Sequence, residues 1–343
     1  MAATRKRTTL REVAALAGVS QATASKVLNG RGDVAPHTRE RVLEVMKAQR
    51  YVRTGSRAAP ETAPPLVAVF DSLRSQYATL VLQGIVSAAA ERATDVVVRL
   101  EPTGFHALSD RAIRAWMDSI PGAGGIIAVT SVMARSLLDG AARRKIPLVS
   151  IDPVDGFDES IVSIGSTDWA GARSVTEHLL ALGHRHIAWI GGPRGSAPTI
   201  ERFHGYTTAL AVAGIAEDPA LQRNGPYTFD SGATLAGELL DSGVEVTAIV
   251  GGSDAIAFGA MSAARRRGIT VPADLSVTGF DDVPQAEWVT PTLTSVRAPL
   301  EGIGRMAVET VTGIAAGRQP LSHHIQLSTN LIVRESTAPP PGH

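Results

Sequence analysis

Between residues 66 and 316 the sequence alternates short runs rich in Val, Ile and Leu with longer amphipathic stretches, and this constrains the fold more than any other feature. The apolar runs are LVAVF (66–70), DVVVRL (95–100), GGIIAVT (124–130), IPLVSI (146–151), HIAWI (186–190), VTAIVG (246–251) and LSVTGF (275–280). Helical periodicity fills 79–92, 109–119, 132–144, 169–182, 202–213, 231–241, 254–267 and 300–316. Strands that alternate with helices form βαβ units, whose parallel sheet is covered by helices on both faces. Seven strands exceed the ~5–6 of an average sheet, so the length predicts two smaller sheets, an α/β body of two Rossmann-like lobes.

Composition removes several classes of chemistry. The 343 residues contain no cysteine, which excludes thiol nucleophiles, disulfides, iron–sulfur sites and cysteine-ligated zinc. The start, MAATRKRTTLREV, is basic and polar with no apolar signal core behind it, and Gly, Pro and charges interrupt every hydrophobic run. A cytoplasmic protein with no membrane segment is expected. His184 and His186 flank Arg185, and His323 and His324 are adjacent; neither pair converges as a metal site requires, so surface or capping roles are expected. No cofactor is expected.

The net charge of zero conceals a split. Residues 1–60 hold twelve Lys and Arg against four acids, a surplus of eight positive charges that the rest of the chain balances. A basic head on an acidic body confines polyanion contact to one end. Between them, Ala58-Ala59-Pro60-Glu61-Thr62-Ala63-Pro64-Pro65 cannot continue a helix, which divides the chain into a head (1–57), a linker or hinge (58–65) and a body (66–343).

The head reads as three helices. Thr9 and Glu12 form a capping box, and the first helix runs to about Ala17. Gly18 allows a left-handed turn and Ser20 caps the next helix three residues later, which is helix-turn-helix spacing. Val13, Leu16, Val19, Val27 and Leu28 supply apolar faces, and a third helix starts at Pro36 and carries Val42, Leu43 and Met46. If the second helix enters a major groove, Gln21, Ala22, Ser25 and Lys26 face the bases, with Gln suited to adenine, Lys to guanine and the Ala methyl to thymine. Thr23, Asn29, Thr38 and Arg39 are placed for the phosphate backbone, and the capping residues Thr9 and Ser20 complete the expected DNA-binding set. The plain alternative is a bundle that only docks proteins, with Gln21 and Lys26 as surface residues.

The segments LREVAALAGVSQATASKVLNGRGDVAPHTRERVLEVMKAQRY (10–51), ALGHRHIAWIGGP (181–193), ERFHGYTTAL (201–210) and SDAIAFGAMSAARRRGITVPADLSVTGFDDVP (253–284) resemble the lactose-repressor (LacI/GalR) family of bacterial transcription regulators over essentially the whole chain. The resemblance implies a homodimer whose heads bind a pseudo-palindromic double-stranded operator. It also implies a two-lobed body, similar to periplasmic sugar-binding proteins, that holds a small effector between its lobes. Two departures stand out. The position of the family's hinge-helix leucine falls on Pro60, with Gly55 in the same segment, at a helical cost of ~3 and ~1 kcal/mol. The chain ends APPPGH, without the heptads that make some relatives tetramers, so a dimer is expected.

Ligands of open α/β sheets sit at the carboxyl ends of the strands. The loop after the first strand brings Asp71, Ser75 and Tyr77, the fourth is followed by Asp152, and Asp168-Trp169 opens a later helix. The resemblance adds Arg202, Tyr227, Ser253 and Asp281 as effector-binding positions. Carboxylates and a guanidinium bind vicinal hydroxyls, and aromatic rings cover a sugar's apolar face. Other readings stay open: Arg202 and Asp281 as a structural ion pair, Trp169 as core, and Asp254 and Asp282 as caps. No phosphate-binding P-loop, dinucleotide fingerprint or Gly-x-Ser-x-Gly elbow is present, so no enzyme is expected. The expected function is a sugar-responsive repressor released by a mono- or disaccharide. Thr167-Asp168-Trp169-Ala170-Gly171, which resembles regulators of plant-polysaccharide use, favours xylose- or glucose-based sugars. The alternatives are a repressor activated by a purine-type co-repressor and, in another class, a sugar-binding transport protein.

Overall fold

The computed structural model describes residues 9–28, 34–49, 63–101, 109–120, 122–154 and 160–342. It divides into a head, Met1–Thr62, and a body, Ala63–His343.

The head contains α1 (Leu10–Leu16), α2 (Gln21–Leu28) and α3 (Pro36–Ala48). The capping box is formed: the Thr9 amide donates to Glu12 Oε2 at 2.7 Å and the Glu12 amide to Thr9 Oγ1 at 3.3 Å. Gly18 turns at φ +64°, and Ser20 Oγ accepts the Thr23 amide at 3.1 Å to start α2. Val13, Ala14, Ala17, Ala24, Val27, Val42 and Met46 form the core. Leu16 and Leu43, expected in it, are 59% and 50% exposed. At ~100° per residue each lies about a quarter-turn from its helix's buried stripe.

The body consists of two doubly wound lobes of the same topology. In the first, β1 (Ala63–Phe70), β2 (Thr94–Leu100), β3 (Gly125–Val129), β4 (Leu148–Ile151), β5 (Val162–Ser166) and β11 (His324–Leu327) lie in the order β11-β5-β4-β3-β1-β2. In the second, β6 (Ile187–Gly191), β7 (Gln222–Asn224), β8 (Ala248–Gly251), β9 (Ser276–Asp281), β10 (Thr294–Arg297) and β12 (Asn330–Ile332) lie in the order β12-β10-β9-β8-β6-β7. All pairs are parallel except β10–β12. The helices are α4 (Gln76–Glu91), α5 (Asp110–Asp118), α6 (Arg135–Arg144), α7 (Asp168–Ala181), α8 (Ala197–Val212), α9 (Phe229–Asp241), α10 (Asp254–Arg266) and α11 (Leu300–Ala315).

Alternation along the strands sets the layers. Leu66, Ala68 and Phe70 of β1 pack with Ile85 of α4 and Ile303 of α11, while Val67 and Val69 meet Ile113 of α5 and Leu137 of α6 on the other face. Trp189 of β6 packs with Leu179 and Tyr206 of α7 and α8, and Ile190 with Ala236 and Ile256 of α9 and α10. Each such Leu, Ile or Phe stabilises the fold by ~1.5–3 kcal/mol of transfer free energy.

All eight expected helices and seven expected strands are present; β5, β7, β10, β11 and β12 are additional. β1 corrects the linker boundary, since it starts at Ala63, inside the expected 58–65 segment. Its register shifts between Ala63 and Leu66, and such an irregular strand start accommodates Pro64 and Pro65, which lack amide donors. Pro60 and Gly55 lie outside the described residues.

The chain passes between lobes after β5, after β10 and after β11. The first and third passages are bonded together, with the Thr329 amide donating to Thr167 Oγ1 at 3.0 Å and the Thr167 amide to the Leu327 carbonyl at 2.9 Å. One histidine expectation is overturned. His184 is buried, with Nδ1 2.9 Å from Thr247 Oγ1 and Nε2 2.8 Å from the Ala338 carbonyl, so it anchors the C-terminal segment to the second lobe. His186 stays at the surface, 3.5 Å from Glu245. No described helix is long and apolar enough to cross a membrane.

Candidate functional site

The two sheets direct their carboxyl ends at a buried polar cluster centred on Arg202, in the second turn of α8 and 4% exposed. Its Nε donates to Asp168 Oδ1 at 2.7 Å and its Nη1 to the Gly252 carbonyl at 2.7 Å. The guanidinium lies 3.7 Å from the Phe280 ring centroid and 6.0 Å from that of Tyr227. Asp281, at the end of β9, places Oδ1 3.6 Å from Nη1, and that oxygen has no hydrogen-bond partner among the described residues. The first lobe contributes Asp152, directly after β4, whose Oδ2 accepts a short hydrogen bond from the Tyr77 hydroxyl in the first turn of α4.

The backbone is bent to make this arrangement. Asp152 and Asp281 adopt φ +45° and +106°, costly conformations for side-chain-bearing residues that persist where the surroundings enforce them. Gly165 of β5 provides the clearance, because a Cβ there would lie 2.6 Å from Asp152 Oδ1.

Three carboxylates thus surround one guanidinium. Burial, with the Asp168 charge working in the same direction and Arg202 against it, brings both Asp152 and Asp281 up to about 7. Arg202 is held firmly protonated by Asp168 and Asp281 against its own burial. Burial lifts Tyr227 to about 12 and raises Tyr77 well above a free phenol, with Asp152 adding to the effect on Tyr77. Both therefore stay neutral hydroxyls. A cavity of about 220 Å³ opens on Asp152 and Asp168 between β5, β11 and the first turn of α8. Such a site offers carboxylate acceptors to a ligand's hydroxyl donors.

Of the expected effector residues, the structure gathers Tyr77, Asp152, Arg202, Tyr227 and Asp281. Ser253 borders the cluster as the cap of α10, accepting the Ile256 amide at 3.4 Å. Three others do not join it. Asp71 is exposed and bonded to Thr130 Oγ1 at 2.6 Å, and Ser75 is occupied in capping α4 through the Ala78 amide at 3.1 Å. Trp169 is 39% exposed, with Arg173 stacked 5.4 Å over its ring; one helical residue past Asp168, it points away from Arg202. Asp254 and Asp282 are structural: Asp254 accepts Ser295 Oγ at 2.5 Å and the Val283 amide at 2.8 Å, and Asp282 pairs with Arg297 and Arg334. Phe280 is not among the expected residues, and of the Asp168-Trp169 pair it is Asp168, not Trp169, that reaches Arg202. Asp168 carried a signal, since it opens a helix directly after a strand.

On the head, α2 exposes Gln21, Ala22 and Lys26, with Ser25 half-buried on the same side, while Thr23 and Ser20 share a side-chain hydrogen bond of 2.9 Å. Thr9 is exposed, and Thr38 and Arg39 lie half-buried at the start of α3. Asn29 falls outside the described residues.

Comparison with known proteins agrees with both halves. Residues 9–54 match the family of bacterial regulatory proteins of the lacI type, and residues 176–337 match a periplasmic binding protein-like domain. The chain is 33% identical to the HTH-type transcriptional regulator CelR of Thermobifida fusca, over 97% of this chain and 99% of that one. It is 32% identical to MalR of Streptomyces coelicolor, with 98% of each covered. The structure superposes on a CelR–cellobiose complex with a TM-score of 0.72 at 30% identity, covering 96% of this chain and 100% of that one. On a lac repressor dimer bound to operator and the anti-inducer ONPF it gives 0.71 at 27% identity, covering 97% and 100%. A helix-turn-helix head, a two-lobed periplasmic-binding-protein-like body and relatives across the full length converge: the chain belongs to the lacI family of bacterial regulatory proteins and is a DNA-binding transcriptional regulator.

Proposed function

We propose that the protein is a repressor that binds a pseudo-palindromic operator as a homodimer and is released by a mono- or disaccharide held between its lobes. The observation that carries this reading is the Arg202 cluster. Asp168, Asp281 and Tyr227 come from the second lobe and Asp152 and Tyr77 from the first, so one polyhydroxylated ligand bonded to both halves would stabilise a closed form. The solved CelR relative with cellobiose supports the ligand class.

At the DNA, Gln21, Ala22, Ser25 and Lys26 read bases, and Thr9, Ser20, Thr23, Asn29, Thr38 and Arg39 hold phosphates. Effector and operator then oppose each other through a coupling of ~1–3 kcal/mol, about 5–150-fold in affinity.

The test is a thermal-shift panel of pentoses, hexoses, β-linked disaccharides and purines, followed by fluorescence-anisotropy titration of an operator selected from random DNA. A sugar that raises the melting temperature and weakens operator binding supports the reading. A purine that strengthens operator binding replaces it with co-repression.

A further inference from the structure

Glu201 immediately precedes Arg202 and is left without a role by the cluster described above. It lines the cavity of about 220 Å³ together with Asp152, Asp168, Ser163, His324 and Gln326. Register explains the wall: His324 pairs with Ser163 and Gln326 with Gly165, so alternate residues of β11 and β5 share one face. Gln326 Nε2 donates to Glu201 Oε2 at 2.9 Å and fixes the carboxylate, while His324 Nδ1 lies 2.8 Å from Ser163 Oγ. Glu201 is half-buried, and its carboxyl is raised by burial and by the charge of Asp168.

The cavity is therefore bordered by three carboxylates, and its lining includes no Lys or Arg. Arg202 behind it already serves Asp168 and Gly252 and rests on Phe280. In the Arg202 cluster next to it, buried Asp281 Oδ1 has no hydrogen-bond partner among the described residues. At about 30 Å³ per water, the space holds roughly seven waters, a volume suited to one small ring. An anionic group brought here meets like charges with no Lys or Arg in the lining to pair with, whereas a neutral hydroxyl donates to whichever carboxylate it reaches.

Building on the sugar reading of this site, we propose that Glu201 is a charge filter: with Asp152 and Asp168 it admits uncharged sugar rings as hydroxyl donors and excludes sugar acids and phosphorylated sugars.

The test is isothermal titration of the full-length protein with glucose, xylose and cellobiose against glucuronate and glucose 6-phosphate. Wild type is expected to bind a neutral sugar more than about a hundredfold tighter than the anionic ones, the scale of an uncompensated like-charge contact. Glu201→Gln should narrow that ratio by about tenfold, and Gln326→Lys, at an exposed position on β11, provides an independent variant that should narrow it further. Circular dichroism melting checks that both variants fold. Anionic sugars binding as tightly as neutral ones overturn the filter, and a ratio unmoved in both folded variants overturns the role of Glu201. Binding of no sugar by wild type overturns the sugar reading itself, and the filter falls with it.

Discussion

Arg202 Nη1 stops 3.6 Å from Asp281 Oδ1, too far to hydrogen-bond, while its Nε reaches Asp168 at 2.7 Å. The guanidinium is thus anchored by Asp168, and Asp281 contributes charge without a bond. Arg202 and Asp281 remain a buried ion pair across that gap. Asp281 holds an oxygen available to a hydroxyl, beside a cation that keeps the pocket from being wholly anionic.

Removing the cation should therefore be more damaging than removing the acceptor. Arg202→Ala leaves three buried carboxylates uncompensated and is expected to lower body stability by about 3–5 kcal/mol, the range for breaking one side of a buried pair. Asp281→Asn keeps the shape and relieves repulsion, so it should fold at least as well as wild type yet lose effector-dependent operator release. Urea unfolding and anisotropy separate the two. Equal stability of wild type and Arg202→Ala would refute the anchoring role.

The same cluster sets a pH dependence. Asp152 is held at about 7 in the folded protein against an ordinary 3.8, so between those values the folded state binds the extra proton. Its contribution is then fullest below the unfolded value and is lost as pH rises through 7. Buried His184, whose pKa is lowered by burial, works in the opposite sense, losing stability on acidification, so the comparison must be made against a variant. The melting temperature of wild type minus that of Asp152→Asn should fall between pH 5.5 and pH 8. A difference independent of pH would mean that Asp152 titrates normally.

Which parts were legible follows from where the signal lies. Long amphipathic helices and fully buried strands such as LVAVF declare themselves by periodicity. β7 (QRN), β11 (HIQL) and β12 (NLI) are short edge strands, polar or too brief for any period, and β10 (TSVR) is stitched in by distant partners, as where the Thr294 amide donates to Ser336 Oγ at 2.8 Å. β5 (VSIGS) shows no strand period in the sequence, so no strand end there distinguishes Asp168, which reaches Arg202, from Trp169 beside it, which does not. Arg202 and Asp281 stand out in the sequence through their Arg-x-x-Gly-Tyr and Gly-Phe-Asp-Asp contexts, whereas Tyr227 rests on the family resemblance alone. Phe280, stacked under the guanidinium, read only as a strand residue.

Gly165 links fold to site. A methyl there would come within 2.6 Å of Asp152 Oδ1, so Gly165→Ala should displace the carboxylate and its Tyr77 partner while leaving β5 paired. Effector affinity should fall by about tenfold or more, equivalent to one lost hydrogen bond of ~1.5 kcal/mol to a charged group, with a small change in melting temperature. Calorimetric titration with the effector checks this, and unchanged affinity would show that Asp152 does not meet the ligand.

At the head, α2 and the start of α3 should fail in different ways. Lys26 is exposed one helical turn beyond Ala22, where a side chain in the major groove reaches base edges, whereas Arg39 lies half-buried in the first turn of α3. Lys26→Ala is expected to cost about 1–3 kcal/mol on the preferred operator and to relax discrimination at one base pair in each half-site. Arg39→Ala should weaken binding to all sequences alike and reduce the slope of log affinity against log salt by about one, because a phosphate contact releases a counterion without reading sequence. Anisotropy titrations on matched and single-mismatch operators at several salt concentrations distinguish the two behaviours. Full discrimination in Lys26→Ala would remove that residue from the base-reading set, and loss of discrimination in Arg39→Ala would move α3 into it.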